Sequence, residues 1–230
     1  MLRDNTEARQ WMIDGQLATT GVTDSALLAA MALVPREFFV PVDFAASAYA
    51  DKEIPLGGGR MLMEPLVLAR LVQALALTGS ERVLIIGGAY GYSAAILAHL
   101  ALEVVMVEEV PAMIEHARAT LPLLHLRNIT IIEDKLTKPL ADGPAFDAML
   151  IEGAVQEIPP SLPAQLKEGG RLAYVENRAL RQDTLGGAPT GLGTLIIARR
   201  QAGTLTRTPI MEAGGTLLPG FATSPAFRFA

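Results

Sequence analysis

The sequence predicts an α/β fold: a doubly wound, mostly parallel Rossmann-like sheet with an N-terminal helical segment and a C-terminal antiparallel hairpin. Three observations carry this. Five short branched-apolar runs have the length of strands: "RVLIIG" (82–87), "EVVMVEE" (103–109), "NITIIED" (128–134), "FDAMLIEG" (146–153) and "GRLAYVEN" (170–177). They are apolar on both faces and alternate with helix-like segments, the pattern of a parallel sheet covered on both sides. A glycine-rich junction, "IIGGAYGYSAA", directly follows the first run, where such sheets place a ligand.

Each element has a local reason. Residues 5–18 carry an amphipathic helical pattern. A second helix begins in "TDSALLAAMALVP", with Thr23 able to cap, Asp24 favouring the dipole and Pro35 as the stop. The stretch "VPREFFVPVDFAASAYADKEIPLGGGRMLMEP" is broken by Pro and Gly and is expected to wander over the surface as a candidate lid. Pro65 opens a further helix to about Leu77. Helix-like segments at about 91–100, 111–121 and 160–167 separate the strands. "GTLIIARRQAGTLTRTPIMEA" reads as two strands joined by "RQAG", an antiparallel hairpin on the sheet edge. No repeat or linker interrupts the chain. It is expected to form one domain, with a helical cap and substrate-side loop at 1–78 and a cofactor-binding sheet at 79–230.

Composition narrows the partners. The chain has 230 residues, half of them hydrophobic, which is ample for a core. Its 24 acidic and 19 basic residues give a net charge of -5 without a Lys/Arg run, so nucleic acid is not an expected partner. With no cysteine there is no disulfide framework, thiol catalysis or thiolate metal site. The first residues, "MLRDNTEARQWMIDGQ", show neither a signal-peptide core nor a membrane span, and the expected location is cytoplasmic. His99, His116 and His125 lack metal-ligand spacing, so no metal site is expected.

The glycine junction discriminates between cofactors. A dinucleotide fingerprint wants Gly at 87, 89 and 92, and the chain has Gly87, Ala89 and Tyr92. A P-loop wants Gly-Lys-Ser/Thr, and no cation follows the loop. S-adenosylmethionine carries no phosphate and needs close backbone approach, which Gly87 and Gly91 permit. Glu108, 21 residues after Gly87, ends the second strand where a carboxylate can accept both ribose hydroxyls, with Glu109 as the register alternative. Asp134 ends the third strand and can accept from an adenine amino group, or serve as a turn residue. The candidate cofactor-binding set is Gly87, Gly88, Ala89, Gly91, Tyr92, Glu108, Asp134 and Lys135.

Taken in order, these segments resemble the protein-L-isoaspartate O-methyltransferase family. "DGQLATTGVTD" is similar to its N-terminal Gln-Leu-x-x-x-Gly-Ile/Val-x-Asp segment, and "VPREFFVP" (34–41) to its "VPRExFVP" stretch. "YADKEIPLGGGR" is similar to the family's Tyr-Ala-Asp-x-x-x-Pro-Ile-Gly-x-Gly run. "VLIIGGAYGYSAAILA" occupies its first cofactor motif, and "FDAMLIEGAVQEIPPSLPAQLKEGGRLAYV" resembles its Phe-Asp to Gly-Gly-Arg-Leu signature. The match spans roughly residues 12–176. It implies a class I methyltransferase fold, S-adenosyl-L-methionine as cofactor, and an isoaspartyl carboxylate on a protein or peptide as acceptor.

Departures from the family pattern sharpen the site. Its Thr-Ile-Ser-Gln/Ala-Pro motif reads Met61-Leu62-Met63-Glu64-Pro65, its acidic loop residue is Ile85, its middle glycine is Ala89, and its small or hydroxyl residue at the fourth strand end is Glu152. The substrate-facing candidates are therefore Arg60, Met63, Glu64 and Glu152. An isoaspartyl carboxylate, with a pKa of about 4, needs no general base, so the enzyme supplies alignment and water exclusion. Glu64 and Glu152 facing that acceptor would each oppose it by roughly 1–4 kcal/mol at about 4 Å, with Arg60 able to offset one. Glu64 reads equally as a solvent-facing helix-start residue, and Met61 and Met63 as packing. The alternative reading is a non-catalytic or substrate-shifted family member. The tail "LLPGFATSPAFRFA" brings Phe221, Phe227 and Phe229 to the core or to a pocket, core being expected.

Overall fold

A computed structural model describes residues 5–140, 145–177 and 190–223. The chain begins with helix α1 (Thr6–Trp11), which widens into a π-helical turn (Met12–Leu17) and ends in a 3-10 turn (Ala18–Thr20). The expected helix over 5–18 is thus present but changes winding. Helix α2 (Ser25–Leu33) is capped by Asp24, whose side chain accepts from the N–H groups of Ala26 and Leu27. The cap is Asp24, one residue past the expected Thr23.

The segment expected to wander over the surface is built and partly buried, a correction to that expectation. Two 3-10 turns (Arg36–Phe39 and Val42–Ser47) lead to a small antiparallel ribbon, β1 (Ile54–Gly57) with β2 (Arg60–Leu62). Arg36, Phe39, Ile54, Arg60, Leu62 and Met63 are all buried. The Arg36 guanidinium organises this strap. Its Nε donates to Ala48 O at 2.7 Å, its Nη2 donates to Met63 O, and it lies 4.8 Å from the centre of the Tyr92 ring. Helix α3 (Pro65–Ala74) follows, and positive φ at Ala76 takes the chain out of helix before Leu77.

The main sheet has seven strands in the order β5-β4-β3-β6-β7-β8-β9. These are β3 (Arg82–Ile86), β4 (Glu103–Glu108), β5 (Ile129–Glu133), β6 (Phe146–Val155), β7 (Leu166–Glu176), β8 (Thr190–Gln201) and β9 (Thr204–Thr216). Strands β3 to β7 pair in parallel. Strands β7, β8 and β9 pair antiparallel, and the β8–β9 hairpin turns at Ala202-Gly203, both at positive φ. That double positive φ suits the twist of a tight hairpin. Helices α4 (Tyr92–Ala98) and α5 (Pro111–Thr120) follow β3 and β4.

Alternation along each strand divides the core. Val83 and Ile85 join a cluster with residues of α2 to α5 on one face, while Leu84 and Ile86 join a second cluster on the other. The buried members of this second cluster include none from α1 to α5. It is closed instead by Leu136, Leu162, Leu218 and Phe221, from connections and tail. The helix expected at 160–167 is a short 3-10 turn (Pro163–Gln165) running into β7. Leu166 already has extended dihedrals and opens β7, which leaves no room for a longer helix. Phe221 is core, as expected; Phe227 and Phe229 lie outside the described residues. Among the described residues no helix is long and apolar enough to cross a membrane.

Candidate active site

The sheet's winding reverses between β3 and β6, so their C-terminal ends and that of β4 border one crevice, the place where open α/β sheets bind ligands. Gly87 follows β3, Glu108 closes β4 and Glu152 lies near the end of β6. Both carboxylates are buried.

Glu108 is surrounded by donors. Its Oε1 accepts from Arg60 Nη1 at 2.7 Å and from the backbone N–H groups of Glu109 and Val110 at 2.9 and 3.1 Å. Its Oε2 accepts from the same Nη1 at 2.9 Å and from the N–H of Ala89 at 2.9 Å. The other Arg60 nitrogen, Nη2, donates to Gly87 O at 2.7 Å. Arg60 thus reaches from the strap into the crevice and pairs with Glu108; of the two carboxylates it was expected to offset, its charge bears on Glu152. Glu108 points into the crevice, while Glu109 turns away and accepts from Leu136 N at 3.3 Å.

Glu152 sits where β6 is irregular. Between Leu150 and Ala154 the pairing with β7 slips, so three residues of β6 oppose Tyr174 alone. Gly153 takes φ of 151°, a conformation other residues avoid, and a side chain there would strike Leu218 Cγ at 2.5 Å. This bulge re-aims Glu152. Its Oε2 accepts from the Ser93 hydroxyl on α4, and its buried Oε1 has no partner among the described residues. Burial above all pushes its carboxyl up to about 7; the Ser93 hydrogen bond and the charges of Arg60 and Arg36 pull it down, and Glu108 pushes it up.

A cavity of about 10 Å³ lies here, lined by residues that include Arg60, Met61, Met63, Glu152 and Leu218. That is at the limit for a single water molecule. Its walls come from both ends of the chain. Leu218 follows β9, donates its N–H to Ala154 O at 2.9 Å and packs on Gly153. Glu53, just before β1, accepts from the Thr216 N–H at 3.1 Å and hydroxyl at 2.8 Å, tying the strap to the end of β9. Burial pushes the Glu53 carboxyl up.

The other candidates fall in different places. Ala89 sits at φ of 48°, in the left-handed region, and donates to Glu108. A side chain on Gly88 would strike Met106 Cγ at 2.4 Å, so this glycine allows the loop to pack on β4. Gly91 packs similarly against Leu121 and Ala117 of the α5 region. Tyr92 turns toward the N-terminal segment, 5.6 Å ring to ring from Phe39. Asp134 stands at the expected strand end, its N–H donating to Glu108 O at 3.2 Å. Its side chain, however, accepts from Lys135 N at 2.8 Å and pairs with Lys138 at 2.7 Å, the turn role. Lys135 is exposed. Ile85 is core. Glu64 precedes α3, half-buried and outside the lining of the small cavity; burial first, then Asp51 and Glu53, raise its pKa. His116 stacks on Tyr90 with ring centres 4.1 Å apart, and among the described residues no group of three or more His, Cys, Asp or Glu is placed to hold a metal.

Three residues missed by sequence reasoning shape the site. Arg36 lies within the "VPREFFVP" stretch, and its burial beside an aromatic ring is the kind of role an arginine in an apolar context signals. Ser93 is one small residue among several after the glycine loop. Leu218 carries no local signal, because only the path of the hairpin brings it here.

The residues fit S-adenosyl-L-methionine in chemistry: a buried carboxylate at the end of β4, and bare backbone at Gly87. Room is another matter, since a side chain at Gly87 would meet Arg60 Nη2 at 2.9 Å and Leu218 Cδ2 at 3.2 Å. Arg60 and Leu218 thus crowd the approach to Gly87.

Fold and crevice together define a class I S-adenosylmethionine-dependent methyltransferase. Comparison with known proteins narrows this. The sequence model of the family described as "Protein-L-isoaspartate(D-aspartate) O-methyltransferase (PCMT)" matches residues 7–185, and the chain belongs to that family. A protein-L-isoaspartate O-methyltransferase of Methylorubrum extorquens (strain PA1) is 36% identical over 225 residues, covering 94% of this chain and 93% of the relative. Protein-L-isoaspartate O-methyltransferase 1 of Anaeromyxobacter sp. (strain Fw109-5) is 41% identical over 168 residues, covering 71% and 79%. Two solved structures share the fold. A protein-L-isoaspartate O-methyltransferase superposes with a TM-score of 0.73 at 22% identity, over 94% of this chain and 66% of that one. A Plasmodium falciparum protein, described as a putative member of the family in complex with S-adenosyl-L-homocysteine, gives 0.70 at 18%, over 91% and 97%.

Proposed function

We propose that the chain methylates the free carboxylate of isoaspartyl residues in cytoplasmic proteins or peptides, with S-adenosyl-L-methionine as donor. The observation that carries this is the ordered family match over residues 7–185, which brings Gly87, Glu108 and the strap to one crevice. The relatives are named as O-methyltransferases, which supports the enzymatic reading over the scaffolding alternative.

When bound, S-adenosyl-L-methionine supplies an electrophilic methyl group. The chain's own residues do the rest. Gly87 would offer backbone approach and Glu108 would accept from the ribose hydroxyls, in competition with Arg60. Met61, Met63 and Leu218 wall the crevice with apolar surface and keep water from the reacting centre. The acceptor carboxylate is already ionised at neutral pH, so alignment is the main contribution. We read the chain as one methyltransferase-like domain, residues 1–78 forming the cap and strap and 79–230 the cofactor-binding sheet.

Two measurements test this. Calorimetry should detect S-adenosylhomocysteine binding, and absence of binding at millimolar ligand would sink the cofactor assignment. Labelled methyl should pass from S-adenosylmethionine to an isoaspartyl peptide and not to its aspartyl counterpart; equal labelling of both would refute the acceptor assignment.

A further inference from the structure

We propose that Glu152 selects the acceptor by presenting a proton, carried on its Oε1, to one oxygen of the acceptor's carboxylate. This rests on the isoaspartyl reading and adds to it a residue that binds the reacting group directly.

The geometry leaves this role to Oε1. The Ser93 hydroxyl donates to Oε2, so that oxygen is an acceptor in its hydrogen bond. With Ser93 donating, a proton on the carboxyl group sits on Oε1, which is buried and has no partner among the described residues, and Glu152 lines the cavity. A buried polar atom left unpaired is costly, and a carboxylate entering the crevice satisfies it with a short O–H···O⁻ bond. The β6 bulge at 151–153 and the left-handed Gly153 aim the side chain into the crevice. The family resemblance puts a small or hydroxyl residue at this position, and a protonated carboxyl supplies the same donor from a longer side chain.

The charged and titratable groups around Glu152 are few. Arg60 reaches in from β2 and Arg36 from the turn before β1, Glu108 lies at the end of β4, and Glu53 lines the same cavity from the strap. Arg60 is engaged by Glu108 and Gly87 O, and Arg36 by Ala48 O and Met63 O, so neither is hydrogen-bonded to Glu152. Burial is the largest influence and favours the protonated acid up to about pH 7. Above that, the ionised group repels an incoming carboxylate. The arrangement follows the logic of a carboxylic acid kept neutral by an apolar site so that it can donate a hydrogen bond.

The experiment is the pH dependence of KM for an isoaspartyl peptide between pH 5.5 and 8.5, about the range over which such a carboxyl changes state, in the wild-type chain and in Glu152→Gln and Ser93→Ala. The peptide carboxylate stays ionised throughout, so a limb near neutrality belongs to the enzyme. KM should rise roughly tenfold from pH 6 to pH 8 in the wild type, the loss expected one unit above the midpoint. Glu152→Gln, whose amide N–H donates at every pH, should abolish this limb and give a lower KM than wild type at pH 8. Ser93→Ala removes a donor that favours the carboxylate and should move the midpoint upward.

A limb that persists unchanged in Glu152→Gln overturns the assignment. So does activity that instead rises through pH 7 and disappears in Glu152→Gln, the signature of a general base acting on a proton-bearing acceptor. Failure of every variant and of the wild type to methylate an isoaspartyl peptide at any pH overturns the isoaspartyl reading itself, and the proposal with it. Transfer with an unmoved limb overturns the Glu152 role alone.

Discussion

The ends of β4 and β6 each carry a buried glutamate, yet the two are treated oppositely. Glu108 accepts from the backbone N–H groups of Ala89, Glu109 and Val110 and forms an ion pair with Arg60. Among the described residues Glu152 has one hydroxyl partner, Ser93, and an unpaired oxygen, and it lines a small cavity. Burial is the same and the residue type is the same. What differs is how many donors the local backbone can aim at the side chain. At β4 the chain turns directly into α5, and the first N–H groups after the strand fold back on the carboxylate. At β6 a bulge carries the side chain away from such donors. A buried acid can thus be part of the frame at one strand end and a reactive group at its neighbour.

The contrast predicts a series of effects. Glu108→Gln leaves the Arg60 guanidinium buried without its counter-charge, and urea unfolding should show a loss of about 3–5 kcal/mol, the penalty for breaking a buried pair. A loss below about 1 kcal/mol would show that the pair is not a structural centre.

Next comes Glu152. Its folded-state carboxyl is raised to about 7 from an ordinary 4.5, so the folded chain holds more protons than the unfolded one between those values. Stability therefore falls as pH rises from about 4.5 to 7. Glu152→Gln should remove that slope and be more stable than wild type at pH 8 by roughly 3 kcal/mol. Chemical denaturation at pH 5 and pH 8 checks this, and parallel curves for the two proteins would contradict it.

Arg60→Met removes the side chain that lies between Gly87 and the crevice and leaves Glu108 its backbone donors. S-adenosylhomocysteine should then bind about tenfold more tightly, roughly 1.4 kcal/mol by calorimetry. Unchanged or weaker binding would mean that Arg60 assists the ligand rather than competing with it.

The smallest effect is at Ala89, whose left-handed φ costs an L-residue roughly 1–2 kcal/mol. Ala89→Gly removes this strain but loosens the unfolded chain, so a net gain of about 0.5–1 kcal/mol in thermal unfolding is expected.

The contrast also marks where sequence reading succeeds. Strands β3, β4 and β6 are apolar on both faces, and such short runs alternating with helical patterns announce a buried parallel sheet. Glu108 could be placed, with Glu109 as its alternative, because this pair of acids ends such a run at a fixed distance from Gly87. The tail hairpin was legible from "RQAG" between two strand-like runs. Arg60 was recognised as a site residue, but its partner was not, because the path of the strap sets that pairing over 48 positions of sequence. The helix expected at 160–167 is cut short because the chain is already extended into β7 at Leu166. The β6 bulge has only Gly153 as a local sign, and a lone glycine in a strand marks a bulge without saying where the neighbouring side chain will point.

Leu218 offers a timer for the crevice. Its N–H donates to Ala154 O while its side chain covers Gly153 and crowds Gly87, so the amide is sheltered only while the tail lies over the strand ends. The exchange rate of that one proton, followed by nuclear magnetic resonance, reads how often the crevice opens. It needs neither substrate nor turnover to do so.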